Sequence, residues 1–283
     1  MLPTNLTAEQ LKIFSLNGYI IIKDFCSQQE VDKLCTAAIR GNDRFTNASI
    51  NPSGNKKTIS SWFTPGNDVF GYLERSEKIV NIVAQLLESD APICHVHSKL
   101  MEKLPRVGGV WEWHQDYAYW STNKFLFANQ MVSVMVALTS INKENGCSQI
   151  IKGSHQLGEI KHGFEGEQIG ADKEFVNNAL ETLELVYPEL EAGDALFFNS
   201  NLLHRSDANL SDYSSWSNIS CYSLQSNLAK KEMFTSWYTP VEIVPNEAIL
   251  EWDTPIKPDL SLLYNKKIHA LKETVWGQLV AIS

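Results

Sequence analysis

Residues 111–120 read WEWHQDYAYW, and they concentrate the chemistry of the chain: three tryptophans, two tyrosines, a glutamate, and a histidine and an aspartate one residue apart. If 111–116 is a strand, its side chains alternate between two faces. Glu112, His114 and Asp116 then share one face, while Trp111, Trp113 and Gln115 take the other. A histidine and a carboxylate two residues apart on one face can grip a single ion. One distant histidine would complete a 2-His-1-carboxylate triad, which leaves three positions open on Fe(II) for oxygen and substrates. The same residues equally fit a hydrogen-bonded histidine beside an aspartate that caps a turn. A bare His-x-Asp match is a weak signal in a chain with seven histidines.

The third ligand has to come from a later strand. His204 is the strongest candidate, because it follows "LEAGDALFFNSNLL", where Gly193-Asp194 makes a turn and Ala195–Phe198 a strand. His155 lies in a Gly/Ser loop, "KGSHQLG", and reads as a hydrogen-bonding loop residue. His162 and His269 have acidic or lysine-rich surroundings and read as surface. His95 and His97 form a rival: His-x-His on a strand is also a facial pair, and with Glu112 and His114 it would make a cupin-type site. Tyr117, Tyr119 and Trp120 follow the ligand pair and are expected to line the mouth of the site, with ordinary core packing as the competing reading. Trp111 and Trp113 read as packing on the far face.

Outward from this stretch the chain divides. Thr7 to Gln10 and Ser27 to Glu30 each fit a capping box, predicting helices near 8–16 and 28–40. "GYIIIKDF" between them reads as a strand. Ser76 is a candidate cap for a helix reaching Leu87, with Ile79, Ile82, Val83 and Leu86 on one stripe. Trp62, in the Gly/Pro-rich "SSWFTPGND", is a candidate lid residue. From about 93 the composition turns to β in "ICHVHSKLM", "VWEWHQD", "NQMVSVMVALTSI", "LELVYPEL", "DALFFNS" and "NISCYSLQS". "GADKEFVNNALETLE" reads as an acidic helical insertion and "LSLLYNKKIHALKETVWGQLV" as a C-terminal helix. The expectation is an α+β fold, a β-sandwich or barrel decorated by helices. It reads as one domain over 1–283, with a helical part to about 90, a barrel core over about 91–226 and an extension over 227–283.

With 283 residues, 43% of them hydrophobic, the chain can bury a large core. The formal charge of −9 argues against a nucleic-acid partner or an anionic membrane surface. No apolar run approaches the ~20 residues that span a bilayer, and no signal peptide is read at the N-terminus. Five cysteines without a CxxC read as reduced thiols of a cytoplasmic protein.

Three longer blocks, "HSKLMEKLPRVGGVWEWHQDYAYW", "NKENGCSQIIKGSHQLG" and "GDALFFNSNLLHRSDANLS", occur in an order that resembles the phytanoyl-CoA dioxygenase family of non-haem iron, 2-oxoglutarate-dependent oxygenases. The similarity runs from "LTAEQLKIFSLNGYIIIKDFCSQQEVDKL" to at least Gln225. The resemblance implies a double-stranded β-helix with helices outside and iron in its mouth, held by His114, Asp116 and His204. It implies Fe(II), 2-oxoglutarate and O2 as the reacting set and oxidation of an unactivated C–H bond of a small-molecule substrate. Gly146 and Gly153 are then turn positions, and Ser154 and His155 structural. An acidic ligand at 116 also sets the chain apart from halogenases of this type, which carry a small residue there.

One position departs from the family. The resemblance places an arginine about eleven residues after the distal histidine, pairing with the 5-carboxylate of 2-oxoglutarate, and here that position is Ser215. No lysine or arginine lies between Arg205 and Lys230. Lys99, Lys103 or Arg205 are the candidate substitutes, with His97 and Lys99 expected near the open iron positions. Ser215, Ser217 and Tyr222 are the candidate neutral partners. The remaining alternative is an iron-binding protein whose use of 2-oxoglutarate is altered or lost.

Overall fold

The computed structural model describes residues 5–45, 47–50, 56–106, 109–121, 127–165, 168–227 and 239–252. The helix expected within 253–283 and the side chain of Trp120 lie outside them.

The first helix, α1 (Ala8–Asn17), is closed at its start by the expected box: Gln10 N–H donates to Thr7 Oγ1 and Thr7 N–H to Gln10 Oε1. α2 (Gln28–Phe45) begins in the same way, with Ser27 and Glu30 exchanging backbone-to-side-chain bonds. α3 (Val69–Arg75) was not expected; Asp68 caps it by accepting from Gly71 N–H. α4 (Glu77–Leu86) starts at Ser76, whose hydroxyl donates backwards to Leu73 O and closes α3 instead of capping α4. Its stripe of Ile79, Ile82, Val83 and Leu86 is buried as the periodicity requires.

Fourteen strands follow one another among the described residues: β1 (Tyr19–Ile22), β2 (Asn47–Ile50), β3 (Lys56–Trp62), β4 (Ile93–Lys103), β5 (Trp111–His114), β6 (Met131–Ala137), β7 (Ser148–Ile151), β8 (His162–Glu165), β9 (Gln168–Ala171), β10 (Leu185–Val186), β11 (Ala195–Asn199), β12 (His204–Ser206), β13 (Ser215–Leu224) and β14 (Thr239–Pro240). β1-β11-β6-β13-β4-β3-β2 form the large antiparallel sheet, with β14 also on β4. β10-β7-β12-β5 form a smaller sheet and β8-β9 a hairpin. "LELVYPEL" yields only the two-residue β10, since Pro188 has no N–H to extend the pairing. The short α5 (Ala118–Ser121) follows β5, and α6 (Lys173–Thr182) is the acidic insertion, capped by Asp172.

Alternation assigns the faces of the large sheet. Ile20, Ile22, Val132, Val134, Val136, Ala195 and Phe197 join the core beneath α1 to α4. Tyr19, Ile21, Met135, Ala137, Leu196 and Phe198 point the other way and meet Cys147 and Ile150 from the smaller sheet side. The two sheets thus face each other, the double-stranded β-helix that the resemblance implies.

Beneath the helices sits a buried polar knot. Glu74 is fully buried, and both its carboxylate oxygens accept from Trp62 Nε1 at 3.0 Å. Trp62 is therefore the end of β3 tied to α3, and not part of a lid. Burial lifts the Glu74 carboxyl from 4.5 to about 8. The unfolded chain loses this proton first, so Glu74's contribution is most favourable below about pH 4.5 and erodes as pH rises towards 8. Glu74→Gln is expected to flatten that erosion, leaving a higher urea midpoint than wild type at pH 8 and little change near pH 5. Parallel decline of both proteins between those pH values would show that Glu74 does not carry the effect.

Candidate metal centre

β5 ends at His114, so the ligand pair is a strand end followed by a turn and not two positions of one strand. His204 opens β12 and pairs directly with His114 across the smaller sheet. The imidazole centroids are 4.2 Å apart. His114 Nε2 and His204 Nε2 each lie 3.8 Å from Asp116 Oδ1. Among the described residues, His114, Asp116 and His204 form the cluster of donor atoms close enough to share one ion, all within 4.8 Å of one another.

The outer atoms of the three side chains are already engaged. His114 Nδ1 bonds Glu112 O at 2.7 Å and His204 Nδ1 bonds Leu202 O at 2.9 Å. Since carbonyls only accept, both Nδ1 atoms carry the proton and both Nε2 lone pairs face inward. Ser133 Oγ donates to Asp116 Oδ2 at 2.8 Å, leaving Oδ1 to the centre. Burial holds both imidazoles below their ordinary pKa, with the neighbouring imidazole adding to the effect at His114. Burial opposes ionisation of Asp116, but Lys99 and the two histidines outweigh it, and the carboxyl is held below its ordinary range. Two neutral imidazoles and one carboxylate with converging lone pairs fit a divalent metal with open positions.

Bulges decide which neighbours share this face. His204 pairs with His114 but Ser206 pairs with Trp111, so β5 carries one extra residue against β12. The bulge brings Trp111 to the cavity beside His114 and sends Glu112 to the opposite side, the reverse of simple alternation for both, while Trp113 stays on the far face as expected. A second bulge, where Cys221 pairs with His97 and Tyr222 with His95, splits the rival histidine pair. His95 turns to Ser98 and Glu74 on the helical side. His97 stays on the inner side, buried, but off the cavity wall. The cupin-type set of His95, His97, Glu112 and His114 is not brought together.

The cavity runs between the sheets. Lys99, Met101 and Lys103 of β4, Ser215, Ser217 and Ile219 of β13, and Met135 and Phe198 form its large-sheet wall. Trp111, Ser148, His204 and Ser206 form the other. Lys99, Lys103 and Ser215 therefore line the same cavity as His114, Asp116 and His204. Arg205 touches the cavity, but its Nε donates to Gln149 and its guanidinium lies over Trp113, 5.3 Å from the ring centroid. That carries its charge to the outer face of the smaller sheet. Tyr117 and Tyr119 do not reach the wall, because the turn at 115–117 leads into α5. Tyr119 instead packs edge-on to His114, 5.7 Å between centroids.

Sequence reasoning missed the support around the ligand turn. His162, read as surface, accepts Gln115 N–H on Nε2 at 3.0 Å. Gln115 itself is fully buried and bonded to three separate backbone groups. The alternation of "MVSVMVA" carried the signal for Ser133 and Met135, which share the inner face of β6. Gly146 and Gly153 adopt φ of 81° and 80°, as turn positions require. At Gly146 a Cβ would lie 2.5 Å from Asp207 O. Ser154 Oγ accepts Leu203 N–H, holding the segment that delivers His204.

The family model described as Phytanoyl-CoA dioxygenase (PhyH) matches residues 14–214. Ectoine dioxygenase of Halomonas elongata is 29% identical over 224 residues, covering 73% of this chain and 66% of that protein. A probable phytanoyl-CoA dioxygenase of Caenorhabditis elegans is 25% identical, covering 72% and 71% respectively. Among solved structures, EctD from S. alaskensis with 2-oxoglutarate and 5-hydroxyectoine aligns over 85% of this chain and 88% of its own, with a TM-score of 0.72 and 20% identity. The form of EctD with bound Fe aligns with a TM-score of 0.70, again at 20% identity and with the same coverage.

Proposed function

The chain belongs to the phytanoyl-CoA dioxygenase family of iron- and 2-oxoglutarate-dependent oxygenases, and from that premise we propose that it oxidises an unactivated C–H bond of a small polar metabolite. The observation that carries the reading is the convergence of His114 Nε2, Asp116 Oδ1 and His204 Nε2 on the wall of one cavity. These three atoms would hold one Fe(II). When bound, iron with 2-oxoglutarate and O2 supplies the oxidising power, and 2-oxoglutarate leaves as succinate and CO2.

The protein's own contribution is to orient and to exclude. The carbonyls of Glu112 and Leu202 fix the ring orientations of the two histidines, and Ser133 fixes the carboxylate. Lys99 keeps Asp116 ionised and favours anions beside the centre. Met101, Met135, Phe198, Ile219 and Trp111 dry the cavity wall. The net charge of −9 disfavours the phosphates of a CoA thioester, so an amino-acid-like or other small polar substrate fits better than the family's namesake. We place the enzyme in the cytoplasm. Its cysteines are free, and burial raises the Cys26, Cys94 and Cys147 thiols to about 11, as inert reduced thiols should be. No described helix is long and apolar enough to cross a membrane.

The test is one spectrum. Anaerobic protein with Fe(II) and 2-oxoglutarate is expected to show the weak visible charge-transfer band of the keto acid on iron. Iron binding without that band would favour the alternative, a family member with altered or lost 2-oxoglutarate use.

A further inference from the structure

Lys103 stands where the sequence lacks a cation. It ends β4 and pairs across the sheet with Ser215. Its side chain is buried, with 7% exposure. The ammonium donates to Gly146 O at 2.8 Å, Ser206 Oγ at 2.7 Å and Asp207 O at 2.6 Å. These three acceptors fix the ammonium at the cavity wall. Lys103, Gly146, Ser206 and Ser215 all line the cavity that also contains the triad.

The order of groups along β4 matters. Lys99, Met101 and Lys103 share one face and line the cavity in sequence. Residues four apart on a strand are about 13 Å apart. Lys99 pairs with Ile219, two residues before Cys221, and Cys221 pairs with Ser133, whose hydroxyl donates to Asp116, which puts Lys99 at the metal end. Lys103 marks the far end, with Ser206 bonded to it and Ser215 opposite it, and Met101, Met135 and Ile219 line the same cavity. Polar ends joined by an apolar middle match a short dicarboxylate whose two methylenes separate a metal-binding keto acid from a second carboxylate.

We infer that Lys103, presented from β4, binds the distal carboxylate of 2-oxoglutarate in place of the arginine that β13 lacks at Ser215. The inference rests on the oxygenase reading. The ammonium supplies the charge; the hydroxyl of Ser206, which accepts from Lys103, and that of Ser215, which donates to Asn145 O at 3.4 Å, can turn to supply further donors to a group with about four lone-pair sites. Lys99 is excluded by its place at the metal end, and Arg205 by its stacking on Trp113.

The test uses Fe(II)-loaded full-length protein without oxygen, titrated with 2-oxoglutarate and separately with 2-oxobutanoate, which keeps the keto acid and lacks the distal carboxylate. The visible band reports binding of both. Wild type should prefer 2-oxoglutarate. Lys103→Gln should weaken 2-oxoglutarate by about thirty- to several-thousand-fold, the usual cost of removing one partner of a buried charge pair, and leave 2-oxobutanoate unchanged. Ser215→Arg should give no gain while Lys103 is present. In the Lys103→Gln background it should restore the preference. The inference is overturned if the preference survives Lys103→Gln, if Lys99→Gln abolishes it instead, or if Ser215→Arg alone tightens 2-oxoglutarate tenfold or more. The last two readings stand even if Lys103→Gln fails to fold. Equal affinity of wild type for both keto acids defeats the role of Lys103 and leaves the oxygenase intact. Iron binding with no band from either keto acid defeats the oxygenase reading itself.

Discussion

His204→Ala and His114→Ala are each expected to abolish stoichiometric iron binding while the protein stays folded. Each removes one of three donors that meet within 4.8 Å, and the two that remain cannot define a face of an octahedron. The loss should exceed the ~10–100-fold that follows from disturbing an outer partner of a ligand. The fold should survive because neither imidazole holds the core. His204 is at the rim of the sheet, with 14% of its side chain exposed, and its Nδ1 bond reaches only two residues back to Leu202. The measurement is iron per chain after anaerobic loading and gel filtration, with circular dichroism beside it. The rival assignment makes the opposite forecast. Iron lost from His95→Ala or His97→Ala but retained by His204→Ala would sink the triad.

The parts of this site that were legible in the sequence are those set by local rules. Capping boxes at Thr7 and Ser27 mark helix starts because their partners are three residues away. The Val132, Val134, Val136 alternation reads off the buried face of β6 without reference to any other strand. That His114, Asp116 and His204 would come together was legible because long blocks around them resemble a known family. What stayed hidden depends on register between distant strands. The bulge in β5 exists only relative to β12, some ninety positions later, and it alone brings Trp111 in and sends Glu112 out. The bulge opposite Cys221 and Tyr222 likewise separates His95 from His97. His162 looked like surface because its acidic neighbours are visible in sequence, whereas the Gln115 amide that meets it is 47 residues away. Lys103 was one of three candidate cations, and only the pairing of β4 with β13 puts it opposite Ser215.

Gln115→Met is expected to lower iron affinity by about 10–100-fold without changing the stoichiometry. Gln115 is the residue between the two ligands and touches no reacting atom, so its effect has to pass through geometry. Its Nε2 donates to Gly158 O at 2.8 Å and to Asn201 O at 2.7 Å, and its Oε1 accepts from Ile160 N–H at 2.8 Å. Its own N–H is taken by His162, whose Nδ1 bonds Ile160 O at 2.8 Å. One amide therefore clamps the 158–162 segment to the turn carrying Asp116 and, through Asn201, to the chain that delivers His204 three residues later. Methionine keeps the length and the backbone bond to His162 but removes every polar contact of the side chain, leaving two carbonyls and one amide N–H without their partner, at a cost of about 1–3 kcal/mol for each one that stays buried. A general loss of stability would lower the melting temperature alone. A positioning role also moves the iron affinity and shifts the charge-transfer band, since the angle between the two imidazoles and the carboxylate changes. Gln115→Glu separates the two effects. It keeps an acceptor for Ile160 N–H, but turns the donor bonds to Gly158 and Asn201 into repulsion, so iron affinity should again fall. Wild-type affinity and an unshifted band in both variants, whatever their melting temperatures, would show that the turn holds its shape without Gln115.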